Sequence, residues 1–204
     1  MKTRASGGNA FWRNRGYLPH FEGGEIAQTI TFRLHGSLPM ELLLRWKDEL
    51  LDSPESKRDT ELRSRIEKHL DSGVGSRWLA DDRMAQIVAS TLARFDGERY
   101  LLHAWVVMPN HVHALFTPKP GFTLSSIVHS WKSYTAKEAK KRLGLDGKFC
   151  QAEYFDRAIR DARHFALARA YIEDNPVNAG LVNQSDEWQW SSASASGGAG
   201  DPPA

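Results

Sequence analysis

Between Ala104 and Thr117 the chain reads Ala-Trp-Val-Val-Met-Pro-Asn-His-Val-His-Ala-Leu-Phe-Thr, two apolar runs with only Pro109-Asn110 between them. Runs this rich in Val, Leu and Phe favour buried strands. So short a connection makes the two runs antiparallel partners, and Pro, which cannot donate to a ladder, belongs in the turn. Any fold of this chain must therefore be built around a hairpin over residues 100–108 and 111–116. Side chains alternate faces along a strand, so His111 and His113 project from the same side. Neutral imidazoles held side by side can share a divalent cation. Packing and hydrogen bonding are the plainer roles for the same pair.

The remaining elements follow from periodicity and punctuation. Ile30, Phe32 and Leu34 alternate and predict a strand over 26–34, and a Leu-rich segment over 39–51 predicts a helix. Residues 53–72 are dense in charge with few apolar positions, which predicts an exposed helical insertion outside the core. Asp81 or Asp82 caps a helix carrying Met84, Ile87, Val88, Leu92 and Phe95 at helical spacing, and Asp96-Gly97 ends it. A long helix over 123–143 sets Leu124, Ile127, Val128, Trp131 and Thr135 against a basic side of Lys132, Lys137, Lys140, Lys141 and Arg142. A short fourth strand over 154–159 and a helix over 163–174 follow. That helix stops before Pro176, because a residue preceding proline is pushed out of the α region. Trp188 and Trp190 pack back on the domain. The expected layout is a basic amino-terminal arm over 1–24, one domain over 25–190 and a disordered Ser/Gly/Pro-rich tail over 191–204. The element order predicts an α+β fold, ferredoxin-like or RRM-like, with an antiparallel sheet and helices mainly on one face.

A formal net charge of +2 over 204 residues is too small to imply a polyanionic partner. Its distribution says more: from Phe122 to Arg169 ten Lys/Arg face five Asp/Glu, compatible with phosphate binding and equally with a solvated face. The single cysteine, Cys150, permits no intramolecular disulfide and suits a reducing compartment. No apolar run approaches the roughly 18 residues of a membrane span, and the amino terminus lacks the apolar core of a signal peptide.

Tyr171 is the natural partner for the histidines. Asn175 follows four residues later in the same predicted helix, so the two share a face, and an amide oxygen suits Mg²⁺ or Mn²⁺ beside two imidazoles. A phenol next to such a cation has the makings of a nucleophile toward a phosphodiester, once it loses its proton. A tyrosine on an amphipathic helix is also an ordinary core residue. Tyr134, among lysines on the long helix, is the rival nucleophile. Without a Walker-type loop or a His-Glu-x-x-His run, nucleotide-driven chemistry and zincin-type hydrolysis rank low.

Seven blocks in order carry a resemblance: Arg15-Gly-Tyr-Leu-Pro-His-Phe21, Thr29-Ile-Thr-Phe-Arg33, Phe95-Asp-Gly-Glu-Arg-Tyr100, Trp105-Val-Val-Met-Pro-Asn-His-Val-His113, Ser130-Trp-Lys-Ser-Tyr134, Phe155-Asp-Arg-Ala-Ile-Arg160 and the run Tyr171-Ile-Glu-Asp-Asn-Pro-Val-Asn-Ala-Gly-Leu-Val182. From about Arg15 to Trp190 the chain resembles the single-tyrosine HUH transposases, most closely the REP-associated tyrosine transposases. The resemblance implies that His111 and His113 bind the metal, that Asn175 is its third ligand and that Tyr171 is the nucleophile. It implies cleavage of hairpin-forming, REP-like single-stranded DNA with a 5′-phosphotyrosine and a free 3′-hydroxyl, then strand transfer. A catalytically silent DNA-binding protein on the same scaffold is the alternative. DNA contacts are expected from Arg13, Arg15, Tyr17 and His20 in the arm, from Lys132, Lys137, Lys140 and Lys141, and from Arg157 and Arg160. A cytoplasmic, nucleoid-associated monomer is expected, with a dimer as the alternative. Cys150, where the family more often has an aromatic, is a departure.

Overall fold

The computed structural model describes residues 11–14, 19–144 and 147–194. A two-stranded ribbon, β1 (Phe11–Asn14) and β2 (Pro19–Glu22), lies within the expected arm. The main sheet comprises β3 (Gln28–Leu34), β4 (Tyr100–Val107), β5 (His111–Pro118) and β6 (Cys150–Ala158) in the order β4-β5-β3-β6, all antiparallel. The helices are α1 (Met40–Glu49), α2 (Glu55–Asp71), α3 (Asp82–Ala93), α4 (Leu124–Leu143) and α5 (Ala162–Asn178). With α1–α3 filling the first crossover, this is the expected ferredoxin-like order.

The hairpin forms as its sequence requires, closed by Met108 N–H donating to the His111 carbonyl at 2.9 Å. Alternation then gives the sheet two unlike faces. Ile30, Phe32, Val112, Ala114 and Phe116 point to one side and pack with Met84, Val88 and Leu92 of α3 and Ile127, Val128 and Trp131 of α4. Asp81 caps α3 by accepting from Arg83 N–H. Thr123 and Ser126 form a reciprocal capping box at the start of α4, and Gly144 at φ 63° closes it. The Glu22 carboxylate accepts from Leu124 and Ser125 N–H, so the ribbon is fastened to that same helix end.

The opposite face, which carries His111, His113 and Leu115, is covered as well: Ile172 of α5 packs on Ala104, Val106 and Leu115. The helices expected mainly on one face are thus divided between both.

Three more expectations change. Segment 53–72 is helical but not a bystander, because Leu62, Ile66 and Leu70 are buried with Leu43 of α1 and Phe155 of β6. Their i, i+4, i+8 spacing is an apolar stripe one residue wide, easily lost among charges. Helix α5 runs through Pro176 instead of stopping before it. The proline forgoes one helical hydrogen bond, while burial of Ile172, Asn175 and Pro176 holds the turn in place. Finally, Ser191 and Ser192, expected in the tail, lie along the outer edge of β4. There Val107 N–H donates to the Trp190 carbonyl at 2.8 Å and Ser192 N–H to the Trp105 carbonyl at 2.9 Å. This covers an otherwise open strand edge, and Trp188 Nε1 donates to the Val107 carbonyl as Trp190 Nε1 does to Asp82. Residues 195–204 lie outside the described residues.

If α2 is core, Ile66→Ala should destabilise the protein by about 2–4 kcal/mol, read by urea unfolding. A loss within about 0.5 kcal/mol, as for a surface position, would return α2 to the status of an appendage.

Candidate active site

His111 and His113 are both buried, and their Nε2 atoms stand 2.9 Å apart. Each outer nitrogen is held. His111 Nδ1 is 2.6 Å from Asn110 Oδ1, and His113 Nδ1 is 2.8 Å from Thr31 Oγ1. An amide oxygen only accepts, so His111 Nδ1 carries a proton and its Nε2 presents a lone pair. His113 then donates from Nε2 and accepts the Thr31 hydroxyl at Nδ1. Burial, and for His111 the neighbouring imidazole, hold both rings neutral: His111 sits well below the usual histidine range and His113 is pulled down to about 4.

Asn110, read from sequence only as a turn residue, ties three elements together. Its Nδ2 donates to the Leu70 carbonyl at the end of α2, its carbonyl accepts from Leu34 N–H of β3, and its Oδ1 orients His111.

Tyr171 projects from α5 over this pair, with its ring 5.7 Å from that of His113, near-perpendicular, and 37% exposed. The phenol donates to the Glu67 carboxylate of α2 and lies beside Asn175, one helical turn away. Burial, then the fields of Glu67 and Asp71, drive the phenol far above its ordinary range. Glu67 is itself raised by burial, and Asp71 is pushed up to about 6 by burial and by Glu67. Asp71 Oδ1 lies 3.9 Å from His111 Nε2.

The donor set fits a divalent cation. Ligands about 2.1 Å from an octahedral metal lie about 3.0 Å apart when adjacent, close to the separation of the two Nε2 atoms. Occupancy requires His113 to shift its proton to Nδ1, with the Thr31 hydroxyl turning to accept it, and no net proton is released. The Asn175 side chain is buried beside His111, its amide atoms without a well-formed hydrogen bond. It is therefore available as an oxygen ligand. Among the described residues no three His, Cys, Asp or Glu side chains form a metal-binding group, so Asn175 or the substrate would have to complete the shell.

A cleft of about 580 Å³ opens from Tyr171 and His113 between α2 and α5, and Arg157 and Arg160 line it. Lys132, Lys137, Lys140 and Lys141 lie elsewhere, on α4 across the sheet. Of these, Lys132 is engaged with the Ala152 carbonyl. Tyr134 is exposed on the same helix, on the far side of the sheet from the imidazoles. The Arg13 side chain, Arg15 and Tyr17 lie outside the described residues. His20 does not face solvent as a base reader would: it is buried, 2.5 Å from Asp156, close to Glu153 and stacked on Tyr154. Sequence reasoning missed Glu67, Asp71, Arg63 and Asn110 as site residues, although Arg63 and Glu67 are one helical turn apart.

Among the described residues no helix is long and apolar enough to cross a membrane. The profile of the family described as IS200-like transposases matches residues 76–175. A REP-associated tyrosine transposase of Escherichia coli (strain K12) is 32% identical over 91 residues, which cover 44% of this chain and 52% of that protein. The chain thus spans about half the length of that curated relative. The solved structure of a REP-associated tyrosine transposase bound to a REP hairpin superposes with a TM-score of 0.56 at 18% identity, covering 93% of this chain and 94% of that one. At this identity the likeness establishes the fold.

Burial lowers the affinity of His20 for a proton, but Asp156 and Glu153 outweigh it and raise its pKa. A histidine whose pKa is raised on folding stabilises the protein fully below its unfolded value, and that contribution is lost as pH rises through the folded value. Relative to His20→Gln, the wild type should lose stability as pH climbs above about 6.5, measured by urea unfolding across pH. A difference that does not change with pH would mean that folding leaves the proton affinity of His20 unaltered, and one that grows with pH that the folded ring stays neutral.

Proposed function

We propose that this chain, whose residues 76–175 match the IS200-like transposase family, is a metal-dependent enzyme that cuts and rejoins hairpin-forming single-stranded DNA through Tyr171. The observation that carries this reading is the Tyr171 ring standing over His113 within one chain, beside two imidazoles whose Nε2 atoms converge. His111, His113 and Asn175 would hold Mg²⁺ or Mn²⁺. A bound cation would supply Lewis-acid polarisation of a non-bridging phosphate oxygen.

The remaining work falls to side chains. Asn175 and Glu67 orient the phenol. As Tyr171 Oη bonds to phosphorus its proton passes to Glu67, and the P–O3′ bond breaks. The 3′-oxygen departs with the electron pair and takes a proton from water. The product is a 5′-phosphotyrosine and a free 3′-hydroxyl, so bond energy is kept in the protein–DNA link and attack by a 3′-hydroxyl reverses the step. No nucleotide cofactor is needed.

Likeness to a protein solved with a REP hairpin supports a folded palindromic strand as substrate, which would place the enzyme on the chromosome in the cytoplasm. Nucleophile and imidazoles from one chain support a monomer.

Incubation with hairpin DNA and Mn²⁺ should give wild-type protein that migrates with a covalently attached strand, and Tyr134→Phe should behave the same. Tyr171→Phe and the doubly substituted His111→Ala/His113→Ala protein should form no adduct. An adduct with Tyr171→Phe would overturn the assignment. Because Asn110 sets the His111 tautomer, Asn110→Ala should weaken Mn²⁺ binding about 10–100-fold, read by calorimetry. Unchanged affinity would show that the orientation of His111 does not depend on it.

A further inference from the structure

Helix α2 fills a stretch that the sequence left without a role, and beside its buried apolar stripe it turns a polar row at helical spacing toward the cleft. Thr60, Arg63, Ser64 and Glu67 all line the cleft in front of Tyr171. Arg63 is aimed by donating from Nη2 to the Asp156 carbonyl at 3.0 Å. Arg157 at the end of β6 and Arg160 just before α5 line the same cleft. Three guanidiniums thus line one cleft, and Glu67, whose field reaches Arg63 and Arg157, is engaged by the Tyr171 phenol. Burial, then Arg160 and Arg63, depress Arg157, the signature of like charges gathered without full neutralisation. His164, on the same wall, accepts the Arg160 N–H at Nδ1, which leaves Nε2–H free to donate.

We infer that the α2–α5 cleft seats the phosphates of an unpaired DNA strand next to the scissile bond, with Arg63, Arg157 and Arg160 as its cationic wall. This rests on the proposed chemistry at Tyr171 and adds the route by which the strand reaches it. A volume of about 580 Å³ lies within the roughly 300–1,000 Å³ of small-molecule pockets. It takes a nucleotide or two of single strand and excludes a duplex. Threonine and serine hydroxyls share the rest of the lining with Ile66, Leu70, Phe155 and the exposed Leu167, which suits backbone, sugar and base faces and reads no base edge. The hairpin stem must then be held elsewhere. Helix α2, pinned to the sheet through Asn110, supplies one complete wall.

The test is salt-dependent binding of a short oligothymidylate and of a blunt duplex of equal length, both without divalent metal. Each of Arg63→Ala and Arg157→Ala should reduce the slope of log K against log salt for the oligothymidylate by about 0.7, and leave the duplex unchanged. Arg63→Lys, which keeps the charge and guards against a folding defect, should restore the slope. Arg94→Gln, at the end of α3 on the opposite face of the sheet, should alter neither. An unaltered single-strand slope, or equal losses for strand and duplex, would overturn the assignment. Adduct formation by Tyr171→Phe would instead sink the catalytic reading, since this binding needs no turnover.

Discussion

Two hydrogen bonds on the outer nitrogens of two buried imidazoles set the geometry of everything else. Asn110 Oδ1 and Thr31 Oγ1 fix His111 and His113 so that their Nε2 atoms converge at 2.9 Å. Both supports belong to the sheet or its turn, where backbone pairing leaves little freedom. The alternation that turns these rings one way sends Val112, Ala114 and Phe116 the other, into the core with α3 and α4. Segregation of chemistry from stability follows directly. One face of the sheet is given over to packing, and the other can carry neutral, desolvated nitrogens without weakening it.

Helices α2 and α5 complete the second face by different means. Helix α5 brings Tyr171 and Asn175, one turn apart, to the imidazoles, and its run through Pro176 keeps Asn175 inside the helix and buried. Helix α2 brings Glu67 and Asp71, again one turn apart. Those carboxylates raise the cost of ionising the phenol, so the resting site holds Tyr171 protonated and bonded to Glu67. In the proposed reaction, a phenol kept protonated at rest and offered a ready acceptor would suit a step that runs in both directions.

What could be read from the chain was what has a local signature. The hairpin, the caps of α3 and α4 and the shared face of His111 and His113 all follow from spacing over a few residues. So does the pairing of Tyr171 with Asn175. What escaped depends on partners far away in sequence. The contact of α2 with the core rests on three apolar residues among many charges, and their burial depends on Phe155, 85 or more positions further along. His20 looked like an exposed arm residue because Asp156 and Glu153, which bury and charge it, are more than 130 residues away. Pro176 misled for another reason: a steric preference of the preceding residue was outweighed by burial of the helix face.

Pulsed electron paramagnetic resonance of Mn²⁺ bound to the full chain tests the central geometry without any need for turnover. The account predicts nitrogen couplings from two histidines, reduced to one in His113→Ala. A manganese signal with oxygen ligands alone would contradict it.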